Sequence, residues 1–266
     1  MEERVGVEVQ WFVYTAGPSA MEAVFAHSVD LTYVGPSPVL NAFVRSKGRE
    51  GRVIAGAVWG GAALVVQGVG GLSRPEDFRG KRIATPQLGN TQDVAARVWL
   101  QQQGYRITQL GGDVLVLPTE NADQLALFKL GRLDGAWTVE PWVSRLELEA
   151  GGRVYLEQRD AVTTVLAAGA QVMERRREVV RRFAAAHAEL TDWINAHPAE
   201  AQAAVQAELK ELTRREMAEG VVARAWSRLR FTTEVEPEAF ETLLGDARGI
   251  GFLRGDRGVE GLVEKP

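Results

Sequence analysis

The first segment of the chain alternates apolar and polar residues. Apolar side chains occupy every second position over residues 5–13, a period typical of a half-buried β-strand. A Gly-Pro break follows, and a short helix is predicted over residues 19–25. The compact apolar run at residues 31–34 predicts a second strand, and the Gly-Pro-Ser-Pro sequence after it opens a helix to about Arg45.

Strands and helices continue to alternate along the middle of the chain. Strands are predicted over residues 53–58, 62–67, 82–85, 114–117, 133–137, 154–156 and 162–167. Single helices are predicted between some of them, over residues 91–103, 122–130 and 141–149. Strands that alternate with single helices imply parallel-rich sheets in an α/β architecture.

The pattern changes after Gly169, where only helical periodicity remains. Helices are predicted over residues 175–196 and 198–212. Thr213 and Glu216 have the spacing of a capping box, which predicts a further helix to about Leu229. A last helix is predicted over residues 237–247, so we expect the C-terminal third to form a helical layer.

Composition narrows the possible classes of protein. The chain has 266 residues, of which 45% are hydrophobic and 25% charged, and this excludes a disordered or fibrous protein. The formal net charge is -4 with no long run of one sign, so we expect no binding of nucleic acid. Cysteine is absent, which excludes disulfides, thiolate metal sites and a cysteine nucleophile.

Segments that direct a protein to or across a membrane are not visible in this sequence. No stretch approaches the roughly 20 apolar residues that cross a bilayer. The N-terminus lacks the basic-then-apolar order of a signal peptide. If the protein is exported, we expect its targeting segment to lie outside the sequence given.

The familiar catalytic and nucleotide-binding motifs are absent. The glycines at residues 68–71 do not complete a dinucleotide fingerprint, and the chain contains neither a P-loop nor a nucleophile elbow. His27, His187 and His197 are dispersed, so we expect surface or helix-end roles for them and no metal site.

Small hydroxyl and amide residues recur in loops that follow strands and precede helices. Such loops lie at residues 15–19, 35–38, 85–92 and 119–121. In a parallel sheet these loops gather at the carboxyl ends of the strands, where unpaired helix N–H groups can hold a small anion. Helix capping explains any single loop equally well, but the recurrence favours a binding cleft.

One acidic residue lies between two large aromatic residues. Glu140 occurs in the sequence Trp137-Thr138-Val139-Glu140-Pro141-Trp142. Two interpretations stay open here. The aromatic residues could be buried and brace the fold by packing, or they could form a pocket wall in which Glu140 is the one polar group.

Several segments together resemble the nitrate, taurine and aliphatic-sulfonate family of ABC-transporter substrate-binding proteins. They are the Gly-Pro-Ser-Pro sequence at residues 35–38, the long segment 80–93, the segment 121–128 and the Glu-Pro-Trp sequence at residues 140–142. The resemblance implies a two-lobe type II periplasmic binding-protein fold. Residues 1–68 would begin lobe I, residues 69–161 would form lobe II, and residues 162–266 would complete lobe I with a return strand and the helical layer.

The resemblance also implies a ligand site between the lobes, made by helix N-termini and small polar side chains. Carried onto this sequence, the ligand-binding positions are Ser19, Ser37, Gly60, Gly61, Asn90, Thr91 and Gln92, with Glu140 and Thr163 as further candidates. Trp59, Trp137 or Trp142 would lie beside an organic tail. No catalytic residue, cofactor or metal is implied.

The implied function is that of a solute-binding component of an ABC importer. It would capture a small oxyanion, an alkanesulfonate or taurine-like compound, by hinge closure and deliver it to a membrane permease. It would act in the periplasm or outside the cell, associated with the membrane through the permease. Nitrate or bicarbonate binding is an alternative, as are an enzyme resembling the thiamine-pyrimidine synthases and a sensor module that has lost transport.

The sequence departs from the family at its first element. Family members begin with an export signal, a strand and a helix ahead of the segment that matches residues 5–13. In this fold the absent strand would lie inside the first sheet, between the strands predicted near Val7 and Leu31. We therefore expect unpaired backbone groups and lower stability at that position of the sheet.

Overall fold

The computed structural model describes residues 1–108 and 111–266. Its helices are α1 (Glu2–Val5), α2 (Gly17–Phe25), α3 (Pro36–Arg45), α4 (Thr91–Gln102), α5 (Asn121–Lys129), α6 (Trp142–Ala150), α7 (Ala170–Arg175), α8 (Arg177–Ala196), α9 (Pro198–Thr213), α10 (Val221–Trp226) and α11 (Pro237–Gly249). Its strands are β1 (Leu31–Val34), β2 (Arg52–Gly60), β3 (Ala62–Gln67), β4 (Arg82–Thr85), β5 (Ile107–Thr108), β6 (Gly111–Gly112), β7 (Leu115–Pro118), β8 (Gly135–Val139), β9 (Gly152–Gln158), β10 (Val162–Ala168) and β11 (Leu229–Phe231).

The strands form two main sheets, and this confirms the predicted α/β class. The first sheet has the order β1-β10-β2-β11, and the second has the order β7-β4-β8-β3-β9. β2 ends at Gly60 in the first sheet, and β3 begins at Ala62 in the second. The chain therefore passes between the sheets at Gly60 and Gly61, and it returns between β9 and β10. The lobe boundaries expected at residues 68 and 161 stay predictions.

The pairing of the strands is less parallel than the alternation predicted. β10 is antiparallel to β1 and β2, and β11 is antiparallel to β2. In the second sheet β4 is parallel to β7 and β8, whereas β3 is antiparallel to β8 and β9. The physical reason is the route of the chain: β3 and β10 are the strands that enter and return, and they run against the strands of the repeated β-α units.

Apolar side chains fill the space on both faces of each sheet. On one face of the first sheet, Phe43 of α3 and Phe240 of α11 pack around Val165 of β10. On the other face, Phe183 of α8 packs around Leu166. The second sheet is covered in the same way by α4 on one face and by α5 and α6 on the other. Both sheets are thus rigid supports for the loops between them.

The strand predicted over residues 5–13 is wrong. Residues 2–5 form the short helix α1, and residues 7–14 have no regular secondary structure. Among the described residues, β1 pairs only with β10, so the outer edge of β1 has no strand beside it. A strand requires a neighbour to accept its backbone hydrogen bonds, and the alternating pattern reports only which side chains are apolar.

Two predictions in the C-terminal third also need correction. The helix expected over residues 175–196 is interrupted at Arg176, where α7 ends and α8 follows. The helix expected from Thr213 to Leu229 is replaced by a loop, the short α10 and β11. The Thr213 hydroxyl donates to the Leu209 carbonyl of its own helix at 2.7 Å, so it does not cap a new one. Arg214, in the left-handed region at φ 56°, ends α9.

None of the described helices is both long enough and apolar enough to cross a membrane.

Candidate functional site

A cavity of about 680 Å³ lies between the two sheets and extends beneath the N-terminal segment. One end is polar and is formed by the loops at the ends of β2, β4 and β8. Its lining there includes Gly60, Gly61, Asn90, Thr91, Gln92, Asn121, Glu140 and Thr163. The other end lies between residues 5–14, β1 and α8, and its lining mixes apolar side chains with Glu8, Gln10, Asp30, Thr32 and Arg176.

The crossing between the sheets is held by hydrogen bonds from both lobes. The Gly60 amide donates to the Ala161 carbonyl at 2.8 Å, and the Glu140 amide donates to the Gly61 carbonyl at 2.8 Å. The Thr163 hydroxyl donates to the Gly60 carbonyl at 2.7 Å. Gly60 and Gly61 have φ values of 77° and 74°, a backbone conformation that side chains disfavour. These two positions therefore require glycine and form the floor of the cavity.

Two helices from different lobes begin at the polar end. α3 starts at Pro36, and α4 starts at Thr91. The Thr91 hydroxyl accepts a hydrogen bond of 3.2 Å from the Ser37 amide, so the two N-termini are in direct contact. The unpaired N–H groups here belong to Thr91 and Gln92 of α4, because Pro36 and Pro38 have no N–H and the Ser37 amide already donates to Thr91. Each helix N-terminus also carries about half a positive charge. Together they form an electropositive position that suits a small anion.

The loop that leads into α4 is held by a buried carboxylate. Asp93 accepts hydrogen bonds from the Thr85 hydroxyl at 2.8 Å and the Gly89 amide at 2.9 Å. Arg97 neutralises it at 3.1 Å, and both side chains are almost fully buried. The Asn90 side chain caps α4 by accepting from the Asp93 amide at 2.8 Å. The position of Thr91 is thus set by the loop itself.

The structure brings many of the predicted site residues together. Gly60, Gly61, Asn90, Thr91, Gln92, Glu140 and Thr163 all line the cavity. Ser19 and Ser37 lie outside the lining, although both are at helix N-termini beside it. The Ser19 hydroxyl contacts the Gln87 side chain at 3.3 Å, across the lobes. Ligand contact at each of these positions stays a prediction.

The three predicted tryptophans lie outside the lining of the cavity. Trp137 is buried in the core of the second lobe, where its Nε1 donates to Gln158 at 2.9 Å. Trp59 packs in the first core with the Arg230 guanidinium 4.7 Å from its ring. Trp142 lies under the Arg145 guanidinium at 4.6 Å. The aromatic side chains that do line the cavity are Trp11, Phe12, Tyr14, Tyr33 and Phe183.

Glu140 is buried and fully engaged by protein groups. It accepts hydrogen bonds from the Ser144 amide at 3.0 Å, the Ser144 hydroxyl at 2.9 Å and the Arg228 guanidinium at 2.9 Å. Burial raises the pKa of Glu140, and these three hydrogen bonds oppose that rise. Its negative charge is therefore compensated by Arg228, and the residue also lines the cavity. A role of Glu140 in ligand binding stays a prediction.

Sequence reasoning missed a hydrogen-bonded pair at the side of the cavity. The Tyr33 hydroxyl lies 3.0 Å from His187 Nδ1, and His187 Nε2 lies 2.8 Å from the Gly56 carbonyl. Because a carbonyl only accepts, Nε2 carries the proton and Tyr33 donates to Nδ1. His187 is 5% exposed, so the expected surface or helix-end role is wrong for it. The two residues are 154 positions apart, and no local pattern links them.

Burial changes the titration of both members of this pair. It lowers the pKa of His187, and the hydrogen bond to Gly56 opposes that effect. It raises the pKa of Tyr33 to about 12, because the hydroxyl end is enclosed even though the residue is 37% exposed. Within the described part of the chain, no group of three or more His, Asp or Glu side chains is placed to hold a metal ion.

Comparison with known proteins gives relatives that are named as binding proteins. The chain is 27% identical over 185 residues to the taurine-binding periplasmic protein of Escherichia coli (strain K12), covering 67% of this chain and 55% of that protein. The chain thus spans about half the length of this curated relative.

Solved structures share the whole fold. The alkanesulfonate-binding protein SsuA from Xanthomonas axonopodis pv. citri, bound to MOPS, superimposes with a TM-score of 0.80 at 19% identity, covering 100% of this chain and 91% of that one. The periplasmic nitrate-binding protein NrtA from Synechocystis PCC 6803 gives a TM-score of 0.76 at 12% identity, covering 91% and 73%. The architecture is that of periplasmic binding proteins, as the resemblance implied. Residues 1–209 match the NMT1-like family, and the chain belongs to that family.

Proposed function

We propose that this protein is the solute-binding component of an ABC importer and captures a small oxyanion, an alkanesulfonate or taurine-like compound, between its lobes. The observation that carries the proposal is the meeting of the α3 and α4 N-termini at the polar end of one cavity. Relatives named for taurine and alkanesulfonate binding support the same class of ligand.

The mechanism is closure of the two lobes around the anion. The sulfonate oxygens would accept hydrogen bonds from the Thr91 and Gln92 backbone N–H groups at the start of α4, helped by the side chains of Asn90 and Gln92. The N-terminus of α3 would add its positive dipole end. The Ser37–Thr91 contact joins the two lobes, so it forms only when they are closed. Ligand contacts that exist only in the closed state shift the population toward it.

An organic ligand is favoured over nitrate or bicarbonate. The nitrate-binding protein NrtA shares the fold, and the same helix ends would hold any small oxyanion. However, aromatic side chains such as Trp11, Tyr14 and Tyr33 line the same cavity, and they match the carbon part of an organic sulfonate. Nitrate and bicarbonate are therefore the second candidates.

The partners and location follow from the same proposal. The ligand would be passed to a permease in the membrane, and the protein would act in the periplasm or outside the cell. A relative named as a periplasmic protein supports this location. We propose a binding role without catalysis, since the named relatives are binding proteins.

The test is isothermal titration of protein that has been unfolded and refolded to remove any ligand it carried. We expect one-to-one binding of taurine or a short alkanesulfonate and weaker or no binding of nitrate, bicarbonate and sulfate. Mass analysis after incubation should return the ligand unchanged, whereas a new product would favour the enzyme alternative. No binding of any anion by a folded chain would contradict the proposal.

A pair of variants at α4 makes this test specific. Thr91→Asp places a carboxylate at the start of the helix, where negative charge stabilises the fold but repels the ligand anion. We expect it to lose at least about tenfold in affinity, a difference of about 1.4 kcal/mol. Thr91→Asn is the matched neutral control and should keep most of the affinity. Equal affinities for the two variants would place the anion elsewhere.

A further inference from the structure

We infer that an acidic, extended segment of a partner polypeptide docks in a second groove, which lies beside the contact between the lobes. This inference goes beyond the proposed function, because it concerns what the closed molecule binds on its outside. It does not depend on which solute the cavity between the lobes holds.

The groove, which we call the α2–α3 groove, has a volume of about 600 Å³. Its lining residues on each helix are spaced by three or four positions, so they share one face of that helix. They include Pro18, Met21 and Phe25 of α2 and Pro38, Asn41 and Arg45 of α3. Seven positions of a helix cover about 10 Å, which is the length of about three residues of extended chain.

Both lobes contribute to the α2–α3 groove. Leu88 and Gly89, in the loop ahead of α4 in the second lobe, line it together with Arg254 and the two helices of the first lobe. The Ser19 hydroxyl contacts the Gln87 side chain at 3.3 Å, and this contact joins the lobes next to the groove. The groove is therefore complete only when the lobes are closed, so a segment that fits it distinguishes the closed molecule from the open one.

Two arginines in the groove have no anionic partner in the described part of the chain. Arg45 and Arg254 both line it, and neither side chain forms an ion pair or a hydrogen bond with a described residue. Glu22 is the one carboxylate among the described lining residues. A guanidinium recognises a carboxylate through paired hydrogen bonds, so the two arginines suit an acidic occupant.

The groove adjoins a basic surface that two distant segments form together. Residues 45–52 carry four basic side chains and one acidic one, and residues 248–257 carry three basic side chains and one acidic one. The guanidinium groups of Arg52 and Arg257 both lie over the Phe43 ring, at 5.3 Å and 5.0 Å from its centroid. Since the whole chain has a net charge of -4, this positive surface attracts an acidic partner to one side of the molecule.

A buried acceptor favours a polypeptide over an anionic lipid surface. The side-chain carbonyl oxygen of Asn41 is buried and accepts no hydrogen bond from a described residue. A buried acceptor without a donor is unfavourable, and a backbone N–H of an extended segment would supply one. A lipid phosphate is itself an acceptor. The apolar lining from Met21, Leu88 and Phe252 gives the side chains of such a segment a surface to pack against.

The test uses the full chain and a fluorescein-labelled hexapeptide of alternating aspartate and leucine. Fluorescence anisotropy at about 0.15 M salt measures its binding, and the control peptide has asparagine in place of aspartate. We expect saturable binding of the aspartate peptide, at least about tenfold tighter than that of the asparagine peptide. Equal affinities, or no binding of the aspartate peptide, would overturn the inference.

Sedimentation with vesicles of phosphatidylglycerol and phosphatidylcholine tests the competing occupant. We expect the protein to stay in solution. Vesicle binding that Arg45→Glu abolishes would assign the basic surface to lipid and overturn the assignment to a polypeptide.

Charge-reversal variants locate the peptide. Arg45→Glu and Arg254→Glu should each lower the affinity for the aspartate peptide at least about tenfold. Arg132→Glu makes the same change of charge at an exposed position outside the groove, and it should behave as the wild type. An equal loss in Arg132→Glu would show that only the total charge matters, and it would overturn the assignment to the groove.

A pair of leucine variants tests the contribution of the second lobe. Leu88→Ser removes an apolar group from the groove, whereas Leu130→Ser makes the same change at an exposed position of the same lobe outside it. We expect Leu88→Ser to bind the aspartate peptide at least about threefold more weakly and Leu130→Ser to bind it as the wild type does. Wild-type affinity in Leu88→Ser would overturn the conclusion that both lobes form the docking surface.

Discussion

His187 connects helix α8 to the first sheet through both of its ring nitrogens. Nε2 donates to the Gly56 carbonyl of β2, and Nδ1 accepts from Tyr33 of β1. This pattern requires a neutral ring, since a protonated ring has no acceptor for Tyr33. The pair thereby supports the strand that forms one wall of the cavity. It also makes the stability of this lobe depend on pH.

We expect His187 to destabilise the fold as pH falls. Its pKa in the folded chain is below the ordinary value of 6.5, so near that pH the unfolded chain binds a proton that the folded chain does not. The free energy of unfolding therefore falls as pH decreases through about 6.5. In His187→Gln this component is absent, and the wild type should lose stability relative to the variant between about pH 7 and pH 5. Urea unfolding of both proteins at several pH values measures this difference. If the free energy of unfolding changes equally with pH in the wild type and in His187→Gln, the prediction is wrong.

Gly35 lies where the first lobe contacts the start of α4. A Cβ atom added there would be 2.5 Å from the Thr91 hydroxyl oxygen, too close for a real contact. We expect Gly35→Ala to force the lobes apart and lower ligand affinity at least about tenfold, or about 1.4 kcal/mol. Titration of Gly35→Ala and the wild type with taurine and short 1-alkanesulfonates measures the loss. The control is Gly35→Ala with Thr91→Ala, which removes the clash; if affinity stays lost relative to Thr91→Ala alone, steric separation is not the cause.

At the scale of elements, the junction between β2 and β3 decides where the cavity forms. β2 belongs to the first sheet and β3 to the second, and only Gly61 lies between them. So short a junction keeps the two sheets adjacent at this point. The left-handed conformation of both glycines is what allows the chain to change sheets there.

Gly60→Ala should be much more destabilising than the same change at an open position. At Gly60 a Cβ atom would overlap the Arg228 carbonyl oxygen and lie 3.1 Å from the Arg159 carbonyl oxygen. Gly220 has a similar φ of +79° with no atom within 4 Å of the added Cβ. We expect Gly220→Ala to cost about 1 kcal/mol from backbone strain and Gly60→Ala about 3 kcal/mol. Urea unfolding compares them, and equal costs would show that packing at the junction is loose.

The N-terminal segment shows that a strand forms only when it pairs with a neighbouring strand, whereas a helix does not need one. Residues 5–13 have the apolar alternation of a strand, and the helix predicted over residues 19–25 forms nearly as expected. The helix succeeds because its hydrogen bonds are internal. Residues 7–14 pair with no strand among the described residues, although the outer edge of β1 is open.

At the scale of the whole molecule, an ion network joins the C-terminal layer to the second lobe. Arg228, just ahead of β11 in the first sheet, contacts Glu140 at 2.9 Å and Glu147 of α6 at 2.8 Å. Arg224 of α10 also contacts Glu147 at 2.8 Å. The Glu140 side chain is 1% exposed, so its charge depends on Arg228 for compensation. The network restricts how far the lobes can separate on this side of the cavity.

Removing Arg228 should destabilise the protein strongly. Arg228→Met leaves the buried Glu140 carboxylate without its cation, and loss of one partner of a buried pair costs about 3 kcal/mol. Arg181→Met is the matched control, because Arg181 pairs with Glu178 at 2.9 Å on the exposed surface of α8 and should contribute little. Equilibrium urea unfolding measures both variants. Equally small effects would show that the network contributes nothing net to holding the lobes together.

The sequence by itself determined the local elements and the class of the fold. Internal helix hydrogen bonds, glycine breaks and apolar runs predicted most helices and strands near their observed positions, and the polar loops after the strands marked residues such as Asn90, Thr91 and Gln92 that line the cavity. These features depend on residues close together in the chain.

Only the tertiary structure decided the directions of the strands and the aromatic lining of the cavity. Trp137 is buried in a core, while Trp11, from a segment predicted as a strand, lines the cavity instead. Tyr33, His187 and Arg228 gain their partners from positions distant in sequence. Such outcomes depend on which elements become neighbours and which side chains they enclose, and a local pattern carries no information about contacts between distant segments.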